Sequence, residues 1–258
     1  MHHLYIKMRK QQRASTNLIW SNLFIWMLMT IFTSCHPATQ KKTAMKFHVT
    51  GLQKIEVITG DWNAVHGKMY LWERKDTVSE WELYTSFDIN VGRNGFAVDS
   101  TQQSLFSQNK KIKHEGDGCS PAGIFTLGKI FSYHNITDLR MPFKQVDEND
   151  LCVDDRQSVY YNTLIDADTI ASPDYHSFET MRRKDDQYEY GVWVNYNTEP
   201  ARPGNGSCIF LHIWKDPSTG TSGCTSMSRN NMLQLIHWLD ENKNPVLVQF
   251  VDTENSGR

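Results

Sequence analysis

The chain has no Cys-x-x-Cys pair and no His-Glu-x-x-His stretch among its 258 residues, and those are spacings by which common metal sites are recognised. A metal enzyme is therefore not expected, and no cofactor is called for. Neither sign of charge is in excess, since 27 Lys and Arg face 29 Asp and Glu. The first 34 residues hold Lys7, Arg9, Lys10 and Arg13 and no acid, which leaves 23 cations against 29 anions, a net of −6, for the remainder. Nothing in that balance suggests a nucleic-acid partner. Internal repeats are lacking, as are low-complexity linkers beyond residue 47, so a single domain of about 205 residues is the simplest division.

What is present begins with a targeting pattern. Basic residues from Lys7 to Arg13 precede an apolar run from Leu18 to Phe32, then Thr33, Ser34 and Cys35. The run contains Ser21 and Asn22 and is short for a stable span, which favours an export signal over a retained anchor; Met8 would serve equally as its start. The order of apolar run, small residues and Cys in "FTSC" resembles a bacterial lipobox. That resemblance implies a signal peptide over residues 1–34, a lipid on Cys35, and a periplasmic protein tethered to the membrane. Residues 35–46 have no apolar periodicity and read as a tether, the folded domain should span 47–252, and 253–258 form a polar tail.

Between 47 and 252 the runs "KIEVITG", "GKMYLWER", "EWELYTSFDINVG", "GIFTLGKIFSY", "YGVWVNYN", "SCIFLHIW" and "PVLVQFVD" are rich in Val, Ile, Phe, Tyr and Trp and bounded by Gly, Asn, Asp or Pro. These are strand signals, and the domain is expected to be mostly β. One helix is marked by Ser228 as N-cap and by Met232, Leu235, Ile236 and Leu239 at helical spacing, closed by Asn242 and Pro245. A second, shorter helix is expected over "SFETMRRK", with Glu179 and Arg182 as charges on its face. Trp62, Trp72, Trp81, Trp193, Trp214 and Trp238 lie in apolar-periodic stretches and read as core rather than as sugar platforms.

Thiol catalysis needs a nucleophile, a base and donors for the oxyanion. His212 ends the run "CIFLHIW", and the loop "KDPSTGTSG" is long enough to return Cys224 beside it. Gly223 suits a tight turn whose amides, with that of Cys224, would face an oxyanion. The helix from Ser228 would present its positive end to this turn and acidify the thiol. The opposing reading makes His212 a satisfied core histidine and Cys224 a small buried apolar side chain.

The words "EGDGCSPAG", "VDD", "YYN", "GSCIFLH" and "TSGC" together resemble the L,D-transpeptidase catalytic domain of the YkuD type, over nearly all of residues 51–251, including the early "VGRNG" and the final "PVLVQF". The resemblance implies a YkuD-like β-sandwich with one or two short helices, a cysteine acyltransferase working through a thioester acyl-enzyme on peptidoglycan stem peptides, and a part in cell-wall biogenesis. Either L,D-transpeptidation or L,D-carboxypeptidation is compatible with one such site. Carried over, Cys224 is the nucleophile, His212 the base, Gly223 an oxyanion-hole residue and Thr221 the hydroxyl position. Better-known members carry His where Ser222 stands and Arg where Ser226 stands, a departure that bears on substrate choice. A catalytically silent wall-binding lipoprotein of the same fold is the alternative; a thiol-disulfide oxidoreductase lacks a paired cysteine near Cys224.

Among the other matching words, "GDGCSPAG" reads as a turn or a cleft wall. Asp154 and Asp155, with Ser222, are candidate substrate-binding residues, the two carboxylates for a substrate ammonium, or else a solvated loop. Cys152 and Cys208 both fall in family-like words, which implies a disulfide pinning the loop before "VDD" to the strand of His212, with Cys119 as the competing partner. The lipid reading has a direct check: labelled fatty acid should appear on the wild-type chain and vanish in Cys35→Ala, and equal labelling of both would sink it.

Overall fold

Runs of β-branched and aromatic residues gain most when two faces of a pleated strand are covered, and that is how this chain uses them. The computed structural model describes residues 49–252. The expected export signal, Cys35, the expected tether and the expected polar tail lie outside the described residues. Among the described residues, thirteen strands and one α-helix follow in chain order: β1 (Gln53–Thr59), β2 (His66–Glu73), β3 (Glu82–Asn90), β4 (Phe96–Val98), β5 (Ser120–Ser132), β6 (Phe143–Gln145), β7 (Asp150–Val153), β8 (Thr163–Asp166), β9 (Phe178–Thr180), β10 (Tyr190–Val194), β11 (Phe210–Ile213), β12 (Thr225–Met227), α1 (Arg229–Trp238) and β13 (Val246–Val251).

The main sheet runs β10-β11-β12-β3-β2-β1-β13-β5-β4, with β6 on β5, and β10 also pairs with β5. One long strand joins the two layers. Gly123 to Thr126 of β5 pair with β13, whereas Leu127 to Ser132 pair with β10. Between the layers Ile55, Met69, Leu71, Ile89, Phe96, Leu211, Met227 and Phe250 are fully buried. The outer face of β1 is covered too: Lys54 Nζ lies 4.9 Å from the ring of Trp72 and 5.1 Å from that of Trp81, and Trp72 donates to Glu56 Oε2 at 3.0 Å. Trp238 is buried, and Trp62 and Trp81 pack against the core, in keeping with a packing role.

Helix α1 is capped by Ser228, whose hydroxyl accepts from Asn231 N, as its local sequence demands. Met232, Leu235 and Ile236 face inward, toward β10 and β11. The helix stops at Trp238 because its last carbonyls find side-chain donors there: Gln53 Nε2 at 2.8 Å and Arg140 Nη2 at 3.1 Å reach Trp238 O.

The expected helix over "SFETMRRK" does not form. Phe178 to Thr180 instead make β9, antiparallel to β7, in a three-stranded sheet β8-β7-β9. An exposed edge on β7 outcompetes a segment with too few apolar positions to bury a helical face. Glu179 and Arg182 are accordingly not helix-face charges; Glu179 turns into the cleft described below, and Arg182 pairs with Glu148 at 3.1 Å.

The small sheet is stapled to the large one. Cys152 of β7 and Cys208, just ahead of β11, form a disulfide with a Cα separation of 6.0 Å, while Cys119 and Cys224 are free and buried. Closing a loop over a sequence separation of 56 restricts the unfolded chain by about 4 kcal/mol in the chain-entropy treatment. Cys152→Ala/Cys208→Ala should therefore lose stability of about that size in urea unfolding; an unchanged midpoint would show that the bridge contributes nothing.

Candidate active site

Cys224 directly precedes β12, and His212 is the third residue of β11. The two strands pair in parallel with His212 opposite Ser226. Side chains of one face recur every second residue, so Cys224 shares a face with Ser226 and hence with His212, one diagonal step away. Both line a cleft of about 490 Å³ whose walls include Arg93, Lys113, Glu115, Asp154, Glu179, Tyr188 and Ser222. Sequence reasoning brought together Cys224, His212, Gly223, Thr221, Ser222 and Asp154, and all six line this cleft.

The turn before Cys224 is built from three glycine-rich segments pressed together. Gly223 has no positive φ; its need for hydrogen comes from Cys119 O, which a Cβ would approach to 3.2 Å. Its amide is not free, because it donates to Thr221 Oγ1 at 3.1 Å. The Thr221 hydroxyl in turn donates to Cys224 O at 2.5 Å, where Ser120 Oγ also donates at 2.8 Å. Ser120 accepts from Gly92 N at 2.9 Å. Thr221 thus holds the turn, and "GDGCSPAG" is a turn, with Gly116 and Gly118 at positive φ, of which only Gly116 lines the cleft.

The thiol is held by backbone groups. Phe210 N donates to Cys224 Sγ at 3.3 Å, and the thiol donates to Cys208 O at 3.4 Å. Cys208 is itself fixed by its disulfide and by Asn162 Oδ1, which accepts from Cys208 N at 2.9 Å. Burial, and after it the charge of Glu179, pushes the Cys224 pKa well above the usual thiol range. The expected acidification by the helix is not found. β12 stands between Cys224 and the first turn of α1, and a helix dipole acts only within about that first turn.

His212 is buried, and its Nδ1 lies 2.7 Å from Ile213 O. A carbonyl only accepts, so Nδ1 carries the proton and Nε2 is the basic nitrogen. Burial lowers the His212 pKa to about 4, against the backbone carbonyls of Ile213 and Gln187 that favour the charged form. The resting pair is therefore neutral thiol and neutral imidazole. Tyr188 packs edge-on to the His212 ring with centroids 5.1 Å apart, and its hydroxyl donates to Glu179 Oε2. Burial raises the Glu179 pKa as well.

Asp155 does not reach the cleft. Its two carboxylate oxygens accept from Gln157 N at 2.9 Å and His176 N at 2.8 Å, which commits them to a loop turn. Asp154 does line the cleft, and its Oδ1 is buried without a hydrogen-bond partner. Ser226, where better-known members carry Arg, is fully buried, and its hydroxyl has no partner. Arg93, Glu179 and Tyr188 were not singled out for the site from sequence. Arg93 sits in the family-like "VGRNG", which was a signal; the other two reach the cleft only through β9 and the turn before β10. No cluster of metal-ligating side chains is found among the described residues.

A thiol of this kind should react slowly. Iodoacetamide should label Cys224 weakly at neutral pH, with the rate climbing about tenfold per pH unit as the thiolate forms. Glu179→Gln removes the charge that, after burial, most opposes ionisation, and should raise the rate throughout that range. Peptide mass mapping distinguishes Cys224 from Cys119, and equal rates in the two proteins would remove Glu179 from the electrostatics of the thiol.

The profile of the YkuD family, described as L,D-transpeptidase catalytic domain, matches residues 61–248. No curated protein matches the chain. A solved structure of Bdellovibrio bacteriovorus Bd1075 is similar over 82% of this chain and 54% of that one, at 14% sequence identity and a TM-score of 0.39. The chain spans about half the length of that protein. The profile match takes in Cys224, His212 and every residue lining the cleft, and the chain belongs to the YkuD family of L,D-transpeptidase catalytic domains.

Proposed function

We propose that the protein is a cysteine acyltransferase that cleaves the amide before the terminal D-alanine of a peptidoglycan stem peptide through a thioester on Cys224. The observation that carries this reading is the placement of a neutral histidine, with Nδ1 committed to Ile213 O, on the same strand face and in the same cleft as the thiol. A binding module has no use for that pair.

Because thiol and imidazole both rest neutral, proton transfer accompanies attack. Cys224 Sγ bonds to the scissile carbonyl carbon as its proton passes to His212 Nε2, and the carbonyl π pair moves to oxygen. The amide of Cys224 would face that oxyanion, joined by the Gly223 amide once it leaves Thr221 Oγ1. Collapse expels D-alanine, whose amine takes the proton from the imidazolium, and a thioester remains. An amine of a second stem then attacks the thioester, giving transpeptidation; water in its place gives carboxypeptidation. His212 takes the proton of either nucleophile and returns it to the departing thiolate. Asp154, with a buried and unpartnered oxygen, suits a substrate ammonium, and Ser222 lines the same cleft. The export signal and a lipid on Cys35 would hold this chemistry at the membrane, facing the wall.

A second reading, a silent wall-binding lipoprotein, is favoured by one observation: the resting thiol donates to Cys208 O at 3.4 Å and is kept protonated by burial. D-alanine release and intact mass separate the two. Cys224→Ala should abolish release and adduct while the protein stays folded, and His212→Ala should slow release on the order of a hundredfold or more. Full release by folded Cys224→Ala would end the enzyme assignment.

A further inference from the structure

The three cations of the cleft are not equivalent. Lys113 Nζ lies 2.8 Å from Asp117 Oδ1, and both side chains are buried. Arg183 grips Asp185 with two bonds, at 2.9 and 2.8 Å. Each is compensated from within. Arg93 has no carboxylate partner among the described residues; its one side-chain bond is from Nη1 to Ser222 Oγ at 3.1 Å. A guanidinium carries five donors in a planar fork, so the rest of the fork is open at the mouth of the cleft. The acids there are unmatched as well. Glu115 accepts from the hydroxyls of Tyr161 at 2.5 Å and Ser207 at 2.7 Å, Glu179 from that of Tyr188, and Asp154 Oδ1 from nothing.

Arg93 is also rigidly placed against the nucleophile. Its amide donates to Thr221 O at 2.8 Å, and Thr221 N donates to Val91 O at 3.0 Å. Gly220 must be glycine for this approach, because a Cβ there would lie 2.7 Å from Arg93 Cα. Ser222, which holds the guanidinium, is two residues from Cys224.

We propose that Arg93 is a specificity-determining residue that binds a carboxylate of the donor peptide, with Ser222 orienting its guanidinium and the acidic wall of Glu115, Asp154 and Glu179 facing the cationic part of the same ligand. The proposal rests on the acyl-transfer reading for the identity of the donor. A peptide donor offers its terminal carboxylate and that of any diacid residue it contains. Amidated analogues tell them apart.

The test uses the full chain with a tetrapeptide donor, its terminal amide and its side-chain amide. In wild type, amidating the recognised carboxylate should lower kcat/KM for release of the terminal residue by roughly tenfold to a hundredfold, the usual worth of hydrogen bonds to a charged group. Arg93→Ala should show a similar fall for the free acid and little further response to that amidation, and Arg93→Lys should recover part of it. A variant Arg93→Ala that still separates acid from amide as sharply as wild type would overturn the proposal. The same three ligands are titrated calorimetrically against Cys224→Ala and Cys224→Ala/Arg93→Ala. There the second substitution should weaken Kd for the free acid by about tenfold or more, even if no peptide acylates the thiol. Equal Kd values would refute Arg93 alone, whereas carboxylate-dependent binding to Arg93 without any acyl-enzyme in wild type would refute the enzyme reading alone.

Discussion

On one face of a β-sheet, side chains recur every second position and meet those of the paired strand, so the parallel register of β11 with β12 decides where His212 and Cys224 stand. That register covers only three residue pairs, Leu211 with Thr225, His212 with Ser226 and Ile213 with Met227. So short a pairing needs support from outside itself. The connecting loop supplies some: Asn90 Nδ2 donates to Asp216 O and Thr219 O, both at 3.1 Å, and the Asp216 carboxylate accepts from Ser218 and Thr219. Met227 and Leu211 anchor the other face in the core. A one-residue slip would turn Cys224 away from His212.

The disulfide belongs to the same arrangement. It fixes Cys208, a non-glycine residue at a φ of 54°, and the carbonyl of Cys208 is what the thiol donates to. A covalent constraint between the small sheet and the segment ahead of β11 is thereby felt one hydrogen bond away from the Cys224 thiol. Asn162 reinforces it from the "YYN" segment, accepting from Cys208 N and donating to Tyr196 O and Asn197 O.

Electrostatics of the cleft follow from burial more than from pairing. With a thiol and an imidazole both removed from water, the charged form of each is penalised, so their pKa values move apart and the neutral pair prevails. Glu179 adds to this on the thiol side. A ligand bringing positive charge to the acidic wall would reduce that opposition and so ease ionisation of the Cys224 thiol. Ser226 leaves no cation within the strand; a guanidinium reaches the cleft from the separate turn of Arg93 instead.

Much of this was legible in the residues themselves. Runs of β-branched and aromatic residues announced β1, β2, β3, β5, β10, β11 and β13, and Ser228 announced α1, because such signals act within a few residues of chain. The spacing of His212 and "TSGC" marked two residues that the structure places on one strand face of the same cleft. The six remaining strands have three or four residues each, too few for a pattern, and exist only because a partner edge is near; β9 replaced a helix for that reason. Tertiary structure alone separated Asp154 from Asp155, brought Arg93, Glu179 and Tyr188 to the thiol, and kept that thiol protonated. Proximity across the chain and removal from water are sums over the whole fold, and neither is stored in any short stretch of sequence.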